Sequence, residues 1–223
     1  MFSDDKEYRI YTQDGVFLAD NLYNLVIGLT ISSGIFINIL LVLILNSRDF
    51  MIAPEGVAIL STVLIIFAYN IIKYSNKWYI SYIGFLILSF SMGLILARII
   101  PLYTETSVVM SSVVTLVVTL TMSFIAYYAP EVFLSKATCI GISLLIAVVL
   151  DTCILCIFGR SFFLFDIFIT LAYSLIIGVD WANAQEYAPT LDNAIDSASD
   201  IYVDMVRLFI KILQASGKRK DRD

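Results

Sequence analysis

The sequence predicts an all-α integral membrane protein, with six transmembrane helices and a short seventh apolar helix. Three observations carry this. The mean hydropathy is +0.89, and 60% of residues are hydrophobic against 15% charged; a soluble domain has about 45–50% and about 25%. The apolar residues fall into six runs, each close to the ~20 residues that cross a ~30 Å hydrocarbon core. The connections are short, so neighbouring helices are expected to pack antiparallel.

Residues 1–21 are polar and mixed, with an interfacial helix expected around Tyr8–Leu18. They open acidic, with Asp4, Asp5 and Glu7, where a signal peptide needs a basic start. The membrane domain is expected over residues 22–215. Its first span is about Leu22–Leu45, where Gly28, Ser32, Ser33 and Gly34 allow close helix approach. The second follows Pro54 and Glu55 and runs to about Ile72; Lys73, Lys77, Trp78 and Tyr79 then form an interfacial cluster. The third is about Tyr79–Ile100, closed by Arg98 and Pro101. The fourth is about Val108–Tyr128, rich in Ser and Thr whose hydroxyls satisfy their own helix or reach a neighbour. The fifth is about Ala137–Phe158 and carries Asp151. The sixth is about Phe162–Val179, with Asp166 near its start and Asp180 at its end. A polar, acidic stretch and a last apolar one, Ile201–Leu213, precede a charged tail over 216–223. The distribution of Lys and Arg favours a last helix that re-enters or ends on its starting side, with a seventh crossing as the alternative.

Net charge −5 and pI near 4.7 argue against nucleic-acid binding, which wants a basic face. Histidine is absent, so proton chemistry must rest mainly on carboxylates. Cys139, Cys153 and Cys156 sit in apolar surroundings and read as small buried hydrophobes. No His-Glu-x-x-His, Gly-x-Ser-x-Gly or phosphate-binding loop occurs, and Gly178-Val-Asp180 is not the Gly-x-Gly-Asp of intramembrane aspartyl proteases. The chain is therefore not read as an enzyme. No tightly bound cofactor is expected.

The informative residues are charges inside apolar sequence, where each costs about 2.5–3.5 kcal/mol on insertion scales. Asp204, Arg207 and Lys211 are spaced to share one helix face. Asp180 is the nearest upstream partner for Asp204. Two alternatives stand beside that pairing: Asp180 as a solvated helix end, and Asp204 paired with Arg207 as a packing device. Asp151 is read chiefly as hydrogen-bonded to Thr152 or to fourth-span hydroxyls, with an ion stepping-stone as the alternative. Asp192, Asp196 and Asp200, four residues apart, read as a solvated acidic helix face rather than a cation-attracting vestibule. Lys73, at the end of the second span, is a candidate competitor for Asp180.

The segment Ser199–Leu213 resembles the closing motif of the Bax inhibitor-1 family, with Tyr202-Val-Asp204 and Leu208-Phe209 in matching places. Val179-Asp180 is similar to the aspartate that ends the family's preceding span, and its spacing from Asp204 is that expected of bacterial members. Ser91-Met-Gly-Leu94, Pro101 and the Ser/Thr-rich fourth span also resemble the family pattern. Two departures stand out: Asn is common where Arg207 sits, and Ser61 lies near the place where some bacterial members carry a glutamate.

The resemblance implies six helices around a central, short seventh, and a pH-sensitive calcium leak. Two carboxyls in hydrogen-bonding reach at low dielectric share one proton. Such a pair is a switch: protonated it ties two helices, and deprotonated it repels or takes up a cation. Asp180 and Asp204 are the expected weak calcium or proton site; Lys73, Asp151 and Arg207 are the gating candidates. Calcium takes about six to eight oxygens, so two carboxylates suit passage better than storage. The expected partners are the lipid bilayer, calcium, protons and other membrane proteins. The competing readings are a non-conducting scaffold or cell-death modulator acting through helix contacts, and a proton-coupled transporter, for which no inverted repeat is visible. A bacterial-type chain implies the cell membrane, and a eukaryotic or viral one the endoplasmic reticulum or Golgi.

Overall fold

The computed structural model describes residues 8–12, 15–46, 54–134 and 163–220, with the side chains of 46, 54 and 163–167 excepted. Every regular element among them is helical. The fifth run, with Asp151 and the three cysteines, lies outside the described residues, as does the Asp166 side chain. Besides a helical turn at 8–11, shorter than the helix expected around Tyr8–Leu18, and a 3-10 helix at Ile100–Leu102, the described helices are α1 (Asp20–Asn46), α2 (Pro54–Tyr74), α3 (Trp78–Ile99), α4 (Glu105–Tyr128), the single turn α5 (Glu131–Leu134), α6 (Phe163–Glu186) and α7 (Leu191–Ser216). Four of these, α1 to α4, are long and apolar enough to cross a membrane. They coincide with the first four spans expected from sequence.

Local chemistry explains where they start. Proline opens α2, where its fixed φ suits the first turn and its missing N–H costs nothing. Glu55 in that turn and Lys73 in the last both complement the helix dipole. Thr104 caps α4, its side chain accepting the Ser107 N–H at 3.4 Å. Thr190 does the same for α7, accepting the Asn193 N–H at 3.2 Å.

Two helices differ from expectation. α6 runs on past Asp180 to Glu186, which makes Asp180 a mid-helix residue and not a helix end. α7 begins ten residues before the apolar stretch that suggested it, at Leu191 rather than Ile201. Hydropathy missed its first turns because they are rich in Asp and Ser.

The described residues group into two compact units. The first holds the chain up to Pro101 together with Glu186–Val203. Here α3 packs against both α1 and α2 and is the most buried of the four candidate spans. Small residues make this possible. A methyl at Gly34 would stand 2.8 Å from Phe85 Cζ and Tyr202 Cε2, and 2.9 Å from Ser89 Oγ. Gly84 meets Ile71, Ile72 and the Ala68 carbonyl, and Gly93 meets Leu41 and Asn38. Gly28, expected to play the same part, has nothing within 4 Å. Tyr202 of α7 is fully buried in this unit. Its hydroxyl donates to Asn38 Oδ1 at 2.9 Å, and its ring meets Phe85 edge-on at 5.3 Å.

The second unit holds Leu102–Gln185 and the chain from Asp204 onward. Its core is Ala126, Phe133 and Ala182, flanked by Met122, Leu134, Val179 and Trp181. Gly178 lets the Phe133 ring lie against the backbone of α6. The hydroxyls of α4 mostly turn to their own helix: Ser112 donates to Val108 O, Thr115 to Ser111 O, Thr121 to Val117 O and Ser123 to Thr119 O. The segment after α7 is anchored. Thr104 N–H donates to Lys218 O and Lys220 N–H to Leu102 O, both at 3.0 Å, and Tyr103 pairs with Arg219.

The two α1 glycines should part company on substitution. Gly34→Ala should lower stability by about 1–3 kcal/mol through overpacking. Gly28→Ala should leave it unchanged or raise it by up to about 1 kcal/mol, the helix preference of Ala over Gly. Thermal unfolding of the two purified variants compares them, and equal effects would contradict this packing.

Candidate functional site

In the second unit, α6 and α7 bring two carboxyls together. The side chain of Asp180 stands within hydrogen-bonding reach of Asp204. Two carboxyl groups in such reach can share one proton. Asp204 is buried, at 7% exposure, whereas Asp180 is half-buried. One turn on, Arg207 lies exposed and reaches back, its Nη1 3.1 Å from Asp204 Oδ1. Asp204 therefore serves two partners, one acidic and one basic. The packing pair with Arg207 and the pair with Asp180 coexist.

The helical spacing explains the arrangement. Asp204 and Leu208 are one turn apart and both are buried, as are Ile201 and Leu213. Arg207, three residues after Asp204, falls on the rim of that buried stripe, where a long side chain can keep its charge in a polar setting while its stem covers apolar surface.

Lys73 stands at the exposed end of α2, in the first unit, whereas Asp180 belongs to the second. Ser61, near the place of the family glutamate, is buried with its Oγ lacking a hydrogen-bond partner.

The first unit holds a second charge cluster that sequence reasoning missed. Asp192, Asp196 and Asp200, expected as a solvated face, are each half-buried, with the Asp200 side chain 46% exposed, and all three stand near polar partners. Asp192 accepts a hydrogen bond from Ser81 Oγ at 2.8 Å. Asp196 Oδ1 is out of solvent with no hydrogen-bond partner. Asp200 lies 3.9 Å from Arg9 Nη1. Arg9 Nη2 also donates to Ser197 Oγ at 3.1 Å and to Asn193 O at 3.4 Å, and the guanidinium stacks 4.0 Å over the Tyr187 ring. The available signal was the regular spacing of four; what it could not give was the partner, which comes from the far end of the chain.

One guanidinium lies among three acids, and the charges respond accordingly. These residues precede the apolar part of α7. Burial alone would lower the Arg9 pKa, but Asp196 and Asp200 outweigh it and hold Arg9 above its ordinary value. Asp196 is pushed well above the usual carboxylate range by burial, against the pull of Arg9, with Asp192 and Asp200 adding to the rise. Asp192 is raised as well, by burial that outweighs the Ser81 hydrogen bond and Arg9.

Groups of three or more His, Cys, Asp or Glu side chains placed to hold a metal ion are absent among the described residues. The site can thus hold and release a proton and offer a cation a few oxygens. It does not present a tight metal cage among the described residues.

The family model described as "Inhibitor of apoptosis-promoting Bax1" matches residues 16–221. No curated protein and no solved structure matches the chain.

The raised pKa of Asp196 sets a pH dependence of stability. A folded pKa above the unfolded value means the folded protein binds the extra proton, so stability rises as pH falls through the folded pKa towards about 3.9. Asp196→Asn should therefore unfold at a higher temperature than the wild type at pH 8, with the gap closing towards pH 5. A gap that widens on acidification would contradict this assignment.

Proposed function

Because this chain belongs to the Bax inhibitor-1 family, we propose that it is a pH-sensitive, calcium-permeable leak channel gated by Asp180 and Asp204. Membership by itself makes it a multi-pass membrane protein of a family linked to cell-death modulation. The finer reading is supported by one observation: a carboxyl of α6 and a buried carboxyl of α7, Asp180 and Asp204, stand within hydrogen-bonding reach of one another.

The mechanism follows from the charge of the pair. With one proton shared, the two helices are tied and the pair carries a single negative charge, which Arg207 offsets from one turn away. Loss of that proton leaves two carboxylates side by side. They repel, or they are bridged by a cation, and in either case the contact between α6 and α7 changes. Calcium is the fitting ion because it is a hard cation that accepts carboxylate oxygens in flexible geometry. A few oxygens bind it weakly, and a leak needs weak binding so that the ion can leave. The remaining ligands would be water and backbone carbonyls. Arg207 moderates the pair as a tethered cation. Lys73 and Asp151 stay candidates for closing and conduction.

A bacterial-type member would work in the cell membrane. The alternative is a non-conducting scaffold that acts on other membrane proteins through helix contacts. Exposed apolar residues along α1, α2 and α4, such as Leu29, Ile59 and Leu120, suit lipid and partner helices equally, so the fold alone does not separate the two.

Purified protein in liposomes separates them. A leak releases calcium without a partner, whereas a scaffold releases none. Within the leak reading, Asp204→Asn should flatten the pH dependence of calcium flux, because the amide no longer titrates. An unchanged pH profile in that variant would remove the gate from this pair.

A further inference from the structure

The N-terminal segment holds α7 at several points, all within the first unit. Leu18 N–H donates to Pro189 O and Leu191 N–H to Val16 O, both at 2.8 Å, and Phe17 pairs with Thr190. Ala188 N–H donates to Arg9 O at 3.0 Å. Asn193 Nδ2 donates both to Arg9 O, at 3.0 Å, and to Ala188 O, at 2.9 Å. The backbone of Arg9 is thus tied to the start of α7, and its side chain enters the acidic cluster of Asp196 and Asp200.

The chemistry of the contact is unlike ordinary packing. A buried cation among acids is weak evidence for net stability, because an apolar replacement of similar shape often does as well. Removing one partner, however, strands the others, and here a single cation lies among three acids. The contact therefore concentrates on one side chain. We propose that this segment is a clasp on the last helix, with Arg9 as its pin, and that opening it loosens the half of α7 that precedes Asp204. Asp200 is one helical turn from Asp204, so a loosened first half reaches the carboxyl pair through the helix itself. The consequence for flux rests on the leak reading; the clasp does not.

Hydrogen exchange of the full chain in lipid nanodiscs tests the clasp without reference to transport. In Arg9→Gln, amides over 188–200 should exchange at least about tenfold faster than in the wild type, while those of α2 keep their rates. Asp196→Asn in the same chain should recover much of the lost protection, because one stranded charge is removed. Wild-type rates over 188–200 in Arg9→Gln would overturn the proposal, and so would loss of protection throughout the chain with no recovery in the double variant. If Arg9→Gln does not fold, Ser197→Ala serves instead: it removes one acceptor and keeps every charge. That variant should exchange about threefold faster over the same amides, and unchanged rates would overturn the clasp. In liposomes, Arg9→Gln should raise the basal calcium leak. A chain that exchanges as expected yet conducts nothing, even as wild type, would count against the leak and leave the clasp standing.

Discussion

A carboxylate drawn out of water needs a partner, and α7 carries four acids that are wholly or partly withdrawn from solvent. Asp192, Asp196, Asp200 and Asp204 follow one another at one-turn intervals, and the structure is arranged around meeting them. Ser81 serves the first, Arg9 lies among the next two, and Asp180 with Arg207 serves the last. Each partner comes from a different part of the chain. Within the first unit, α7 is held by polar contacts along its acidic line as well as by the contacts of Tyr202.

The two clusters use the same side-chain type to different ends. At Arg9 a cation is fixed among acids in excess, and the contact is a tie. At Asp204 an acid stands near another acid, and the proposed switch would rest on a proton between them. Charge count decides which behaviour appears: a guanidinium does not titrate in any accessible range, whereas a shared proton does.

The legibility of the fold follows the hydropathy signal. Helices α1 to α4 were readable because their apolar runs match the membrane thickness and their ends carry prolines, caps or basic-aromatic clusters. α7 was readable only from Ile201, since a window that scores apolarity sees Asp192–Asp200 as a loop. The glycines show the limit of composition. Gly28 and Gly34 look alike in sequence, yet only Gly34 meets another helix, because the side of α1 that faces α3 is a tertiary fact. The nearness of Asp180 to Asp204 was legible from their positions and from family resemblance; what the two do together is the proposal. Arg9 was not, because a basic residue in a polar N-terminal stretch is ordinary and its acceptors lie almost the whole chain away.

Trp181 follows Asp180 directly in α6 and packs beside Ala126, Phe133 and Ala182, with its indole Nε1 out of solvent and without a hydrogen-bond partner. The chain has one other tryptophan, Trp78, at the start of α3. Indole emission responds to the polarity and field around the ring. The protein therefore carries its own optical probe next to the acid pair, and replacing Trp78 would leave a single reporting chromophore there without any attached label.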